Sequence, residues 1–116
     1  MKESPIFVCT HDLLLWLIPQ TLKFPRSHRF ILAKRVQETA LDFQENLLEA
    51  GLCKGKIRFE RLAQSDVTLA KLRFHLRLCK ELQLLSLGQY EHIIRIIAEV
   101  GRLLSGWRKS EEGSAG

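Results

Sequence analysis

Cysteine is scarce and unpatterned in this chain. Cys9, Cys53 and Cys79 are odd in number and widely separated, which argues against a disulfide framework and against a C-x-x-C metal or redox motif. The expected compartment is therefore a reducing one, the cytoplasm. Histidine is equally dispersed: His11, His28, His75 and His92 form no H-x-x-x-H or E-x-x-H pair, so no metal site is expected. Long apolar runs are missing. The strongest N-terminal one, Leu13 to Ile18, is too short to span a bilayer, lies beyond Glu3 and Asp12, and runs into Pro19 rather than a small-residue cleavage site. Neither a signal peptide nor a membrane helix is expected. There is no sustained period-two alternation and no Asn-Gly or Asp-Gly hairpin turn, which excludes a sheet signal. Phosphate-binding glycine loops are absent, Cys9-x-His11 straddles opposite sides of a helix start, and Cys79 sits on an apolar stripe. No nucleophile, no cofactor and no enzyme are expected.

What is present is a basic chain of one-domain size. At 116 residues it can bury a real core without staples, and 18 Lys and Arg stand against 13 Asp and Glu, a formal charge of +5. Such a charge favours nucleic acid first and an anionic membrane second, and is also within the range that simply keeps a small protein soluble.

Four helical segments follow one another, giving an all-α, up-down-up-down four-helix bundle over residues 1–109 and a disordered tail over 110–116. The first helix runs from about Thr10, as N-cap, to about Phe24, with Pro19 kinking or splitting it and Pro25 ending it. The second starts at Ser27 and carries Ala33, Val36, Ala40, Phe43, Leu47 and Ala50 at spacings of three and four, before Gly51 offers a left-handed C-cap. A basic linker, Leu52 to Ile57, leads to a third helix that starts between Ile57 and Asp66 and ends near Leu84. Ser86 and Gln89 form an S-x-x-Q capping box for a fourth helix, Leu87 to about Trp107.

The second helix reverses the usual order of charge. Lys23, Arg26, Arg29, Lys34 and Arg35 come at and before its start, and Glu38, Asp42, Glu45 and Glu49 follow, against the helix dipole at about 0.3 to 1 kcal/mol per charge at most. That points either to a functional surface or to a solvated face paired with neighbouring helices. On the third helix, projection at about 100° per residue separates three stripes. Leu69, Leu72, Leu76 and Cys79 form a core stripe. Phe74, Leu78, Leu82 and Leu85 form a second apolar face, expected to be a subunit contact. Arg73, Arg77 and Lys80 form a cationic stripe. The fourth helix has one broad core face, from Tyr90, Ile93 and Ile97 to Leu104. Glu91 and Arg95 are expected to pair at i,i+4, and Gly101 suggests close approach of a neighbour.

Leu72-Arg73-Phe74-x-Leu76-Arg77-Leu78 and Ile97-Ala98-Glu99-Val100-Gly101-Arg102-x-Leu104-x-x-Trp107, with Pro25-Arg26 more loosely, resemble the accessory variability determinant (Avd) family of diversity-generating retroelements. The resemblance covers most of the chain. It implies a non-catalytic four-helix bundle that assembles into a basic, ring-like homopentamer. It also implies partnership with the retroelement's reverse transcriptase and its template RNA or cDNA, in support of mutagenic retrohoming. On this chain it places Arg26, Arg73 and Arg77 toward nucleic acid or the transcriptase, and Gly101, Leu104 and Trp107 in the bundle. The connection between the second and third helices departs from the family.

The related four-helix family encoded by intervening sequences in bacterial 23S ribosomal RNA genes shares this architecture and is the nearest alternative. The other is a purely structural helical oligomer or adaptor. The expected binding surface is Lys23, Arg26, Arg29, Lys34, Arg35, Arg73, Arg77 and Lys80, contacting phosphates without base readout. The shortage of aromatics beside the arginines argues against single-strand stacking as its main mode.

Overall fold

The computed structural model describes residues 4–115, and among them every element is helical. Helix α1 is Pro5–Leu22, α2 spans 26–52, α3 is Gly55–Glu81 and α4 is Leu87–Ala115. Each helix packs on the two beside it in a closed cycle, α1 on α2, α2 on α3, α3 on α4 and α4 on α1, which is the expected up-down-up-down bundle.

Helix α1 begins earlier than the sequence suggests. Pro5 occupies the first turn, where its missing N–H costs nothing, and Ser4 precedes it in extended conformation (ψ 141°). Thr10 is thus an interior residue and not a cap. It is 1% exposed, and its hydroxyl has no hydrogen-bond partner among the described residues. Pro19 does not split the helix, which continues to Leu22. One residue before its end the buried Thr21 hydroxyl donates to the Ile18 carbonyl (2.7 Å) and accepts from Gln37 Nε2 of α2 (2.8 Å). With its start at Pro5, α1 is long and apolar enough to cross a membrane by length and composition. Here Ile6, Leu13, Leu14 and Leu17 are buried against the other helices.

Helix α2 changes pitch along its length: a single α turn over Arg26–His28, a π-helical stretch over Arg29–Ala33, and a regular α-helix over Lys34–Leu52. Its core residues Val36, Ala40, Phe43, Leu47 and Ala50 are at most 1% exposed, as the spacing predicts. Gly51 is not the left-handed cap. It stays helical, and a Cβ there would lie 3.3 Å from the Phe7 ring, so its bareness admits the start of α1. The positive φ (63°) falls instead on Gly55, which opens α3.

The lower end of α2 is closed by Arg58. Its Nε donates to the carbonyls of Ala50 (2.8 Å) and Cys53 (2.9 Å), its Nη1 pairs with Glu111 of α4 (3.1 Å), and its guanidinium lies 6.0 Å from the Trp107 ring centroid. Carbonyls that a helix end leaves orphaned are thereby satisfied by one side chain. Because Glu111 also accepts from the Trp107 indole (3.3 Å), α4 is held helical through to Ala115. The helix thus runs into the segment from 110 that the sequence suggested as a tail; residues 1–3 and 116 lie outside the described residues.

The turn from α3 to α4 is a Schellman motif. Leu84 N–H donates to the Cys79 carbonyl (2.8 Å) and Gln83 N–H to that of Lys80 (2.9 Å), with Gln83 in the left-handed region at φ 63°. The capping box forms as expected: Ser86 N–H donates to Gln89 Oε1 (2.9 Å), and Gln89 N–H to Ser86 Oγ (3.1 Å).

Candidate functional site

The antiparallel path of α2 and α3 puts the beginning of one beside the end of the other. Lys23, Arg26, Arg29, Lys34 and Arg35 on the first side, and Arg73, Arg77 and Lys80 on the second, therefore collect toward one pole of the bundle. A Gln89 to Gln20 hydrogen bond (3.5 Å) ties the start of α4 to the end of α1 at the same pole. Two separate basic runs in the sequence thus lie at the same end of the bundle.

The eight cations are not equivalent. Lys23, Arg26, Lys34 and Arg35 make no ion pair among the described residues, and all four are exposed. Arg29 is exposed but uses Nε to donate to the Phe24 carbonyl (3.2 Å), closing the turn between α1 and α2. Arg77 pairs with Glu81 (3.2 Å) on open surface, where such a pair is worth at most about 1 kcal/mol. Arg73 lies against Gly101, and the Lys80 ammonium sits 4.8 Å from the Tyr90 ring centroid. Arg73 and Lys80 therefore line the α3–α4 seam, and the free cations are those of the α1–α2 turn and early α2.

The carboxylates of α2 form no ion pair with the cations of this pole among the described residues. Glu49 pairs with Arg61 of α3 (2.7 Å) toward the opposite end. Glu38, Asp42 and Glu45 line an α2–α3 groove of about 720 Å³ that also holds Arg35, Lys71 and His75. Burial, then the charges of Arg35 and Lys71, holds the His75 imidazolium below its ordinary range, so it is one group at the pole end of the groove that does not add to the charge at neutral pH. The Glu91 and Arg95 pair expected on α4 does not form. Arg95 instead lines a cleft against α1 with Asp12 and Glu99, while Arg102 pairs with Glu99.

The second apolar face of α3 is open. Phe74 is 71% exposed, Leu78 45% and Leu82 46%, and Val67 (49%) extends the face toward the helix start. Leu85 does not belong to it. At 3% exposed it points into the core, because the chain leaves helical geometry at Gln83 and the projection no longer applies. Cys79, on the core stripe, has its thiol pushed up to about 11 by burial, which removes it as a nucleophile.

Sequence reasoning missed two residues at the basic pole. Phe30 is 81% exposed and Ile31 79%, both in the π-helical stretch. A π turn adds a residue to the helical circuit, so a reading at constant pitch does not place them. The one signal available was their adjacency to Arg29 and Lys34.

A comparison with curated proteins finds no match for the chain. The family model described as bAvd-like matches residues 7–111, nearly the whole bundle including the basic pole and both quoted motifs, and the chain accordingly belongs to this family of accessory variability determinants.

Proposed function

We propose that this chain is a non-catalytic accessory factor of a diversity-generating retroelement. It binds the reverse transcriptase and the template RNA or its cDNA through the basic pole, and so supports mutagenic retrohoming in the cytoplasm. The observation that carries this reading, beside the family, is the gathering of Lys23, Arg26, Lys34 and Arg35 at one end of the bundle with no ion pair among the described residues. Unpaired, solvated cations lose little on meeting phosphate and release its counterions, which makes binding strong at low salt and tolerant of sequence.

The test is fluorescence anisotropy with a structured RNA across a salt series. Removing Arg26, Lys34 and Arg35 together should weaken binding to all sequences alike and flatten the salt slope by about one for each phosphate that is no longer neutralised. Arg73→Ala with Arg77→Ala should have the smaller effect, since it removes two cations rather than three and Arg77 is already paired with Glu81. Binding that ignores both salt and the triple change sinks the reading.

A second reading is favoured by the open face of α3. Self-association through Val67, Phe74, Leu78 and Leu82 would cover it, and the family implies a ring of five. The two readings are compatible, because the α3 face and the free cations belong to different surfaces. The match to the bAvd-like family favours the retroelement over the ribosomal intervening sequence as the setting.

A further inference from the structure

We propose that Phe30 is a stacking platform for an unpaired base, so that the basic pole distinguishes single-stranded or looped nucleic acid from duplex. This rests on the nucleic-acid reading above and adds to it a ligand conformation and a residue. It also reverses the expectation that few aromatics beside the arginines make single-strand stacking a minor mode, because Phe30, next to Arg29, is exposed.

Phe30 is the most exposed aromatic among the described residues, at 81%. It stands in the middle of the cations: Arg26 lies about one turn before it and Lys34 about one turn after it, both exposed and without an ion pair, and Arg29 is its neighbour, anchored through the Phe24 carbonyl. The backbone there is π-helical over Arg29–Ala33, a form that mostly occurs as a single turn and often at functional sites. Leu32 and Ala33, in the same stretch, are 8% and 2% exposed, so the wide turn keeps the core contact while leaving the Phe30 ring outside.

Charge argues against one competing occupant, a second copy docked pole to pole. No carboxylate occurs between Lys23 and Gln37, so a second copy presenting the same pole would bring like charges together around the ring. A nucleic-acid strand supplies the opposite charge at regular intervals together with a flat aromatic face. Cations that follow the backbone beside an aromatic that receives a base are the two elements of single-strand binding. A duplex keeps its base faces stacked inside and can use only the cations.

The experiment compares three fluorescein-labelled probes of equal length by anisotropy: oligouridylate, an abasic strand with the same phosphates, and a duplex. The wild-type protein is expected to prefer oligouridylate to the abasic strand. Phe30→Ala should weaken oligouridylate binding about 5- to 150-fold while leaving the abasic strand and the duplex within about twofold. Phe30→Trp should restore the preference, with emission from the new indole quenched on binding; Phe30→Leu, which keeps apolar area but no ring, should not. Circular dichroism and light scattering on the same variants report fold and molar mass.

An unchanged ratio of oligouridylate to abasic affinity in Phe30→Ala overturns the proposal, whatever the absolute affinities. A change in molar mass with that ratio intact also overturns it and assigns Phe30 to a subunit contact. If the wild-type protein binds none of the three probes, the nucleic-acid reading itself fails. If it binds all three equally and binding disappears on removal of Arg26, Lys34 and Arg35, that reading survives without the stacking platform.

Discussion

The Arg73 guanidinium lies over Gly101. A Cβ at position 101 would stand 2.7 Å from Nη2 of Arg73 and 3.6 Å from Cδ2 of Leu69. The close approach that the glycine suggests is therefore made by side chains of α3 and not by its backbone, and the nearest of them ends in a flexible, exposed group. Gly101→Ala should push the guanidinium aside at little cost and gain helix propensity, raising stability by up to about 1 kcal/mol. Urea unfolding monitored by circular dichroism measures this. A destabilisation of more than about 1 kcal/mol would mean that Arg73 is fixed across the seam.

Arg58 is the structural counterpart at the opposite pole. It satisfies two carbonyls at the end of α2 and carries the ion pair to Glu111, with about a quarter of its side chain exposed. Arg58→Ala should cost about 2 to 3 kcal/mol, since hydrogen bonds to a charged group are each worth more than neutral ones and the carbonyls are left without a partner. Lysine should rescue little of it, because an ammonium does not reproduce the planar fork. Thermal unfolding of the two variants decides the point, and faster amide exchange in residues 107–113 should accompany the destabilisation.

Phe74 tests the open face of α3. Phe74→Glu places a charge in the centre of the stripe formed with Val67, Leu78 and Leu82, where burial of an unpaired carboxylate is strongly unfavourable. On the proposal that this face is a subunit contact, light scattering should show a smaller species than the wild type while the helical content stays unchanged, because Phe74 does not contribute to the core. An unchanged molar mass removes Phe74 from any subunit contact.

His75 gives stability a dependence on pH. Its folded pKa lies below the ordinary value of about 6.5, because of burial first and the charges of Arg35 and Lys71 second. The unfolded chain therefore takes up this proton before the folded one does. Its contribution is undiminished above the ordinary value, declines as pH falls through the window between the two values, and is lost fully below the folded one. His75→Gln should flatten stability across that window relative to the wild type, as measured by chemical unfolding between about pH 5 and pH 7. Equal slopes for the two proteins would place the imidazole in ordinary solvent.

How far the chain alone determines this protein follows from which interactions are local. The helix number, the core stripe of Leu69, Leu72, Leu76 and Cys79, the core spacing of α2 and the Ser86 and Gln89 capping box were all legible. Each depends on residues within one or two turns and on a pitch near 3.6. The family was legible for the same reason, since its motifs lie within single helices. Where pitch or backbone sign changes, a reading at constant pitch fails: Phe30 and Ile31 are hidden by the π stretch, Leu85 is turned inward by the left-handed Gln83, and Gly55 rather than Gly51 takes the positive φ. Which cations are free was decided only by tertiary structure. Arg73 meets Gly101, Lys80 meets Tyr90 and Arg58 meets Glu111 across helices that the chain visits far apart in sequence, and the antiparallel return of α3 brings the second basic run to the pole of the first. Periodicity assigns a residue to a side of its own helix, whereas a charge finds its partner, or remains without one, only when the other helices are in place.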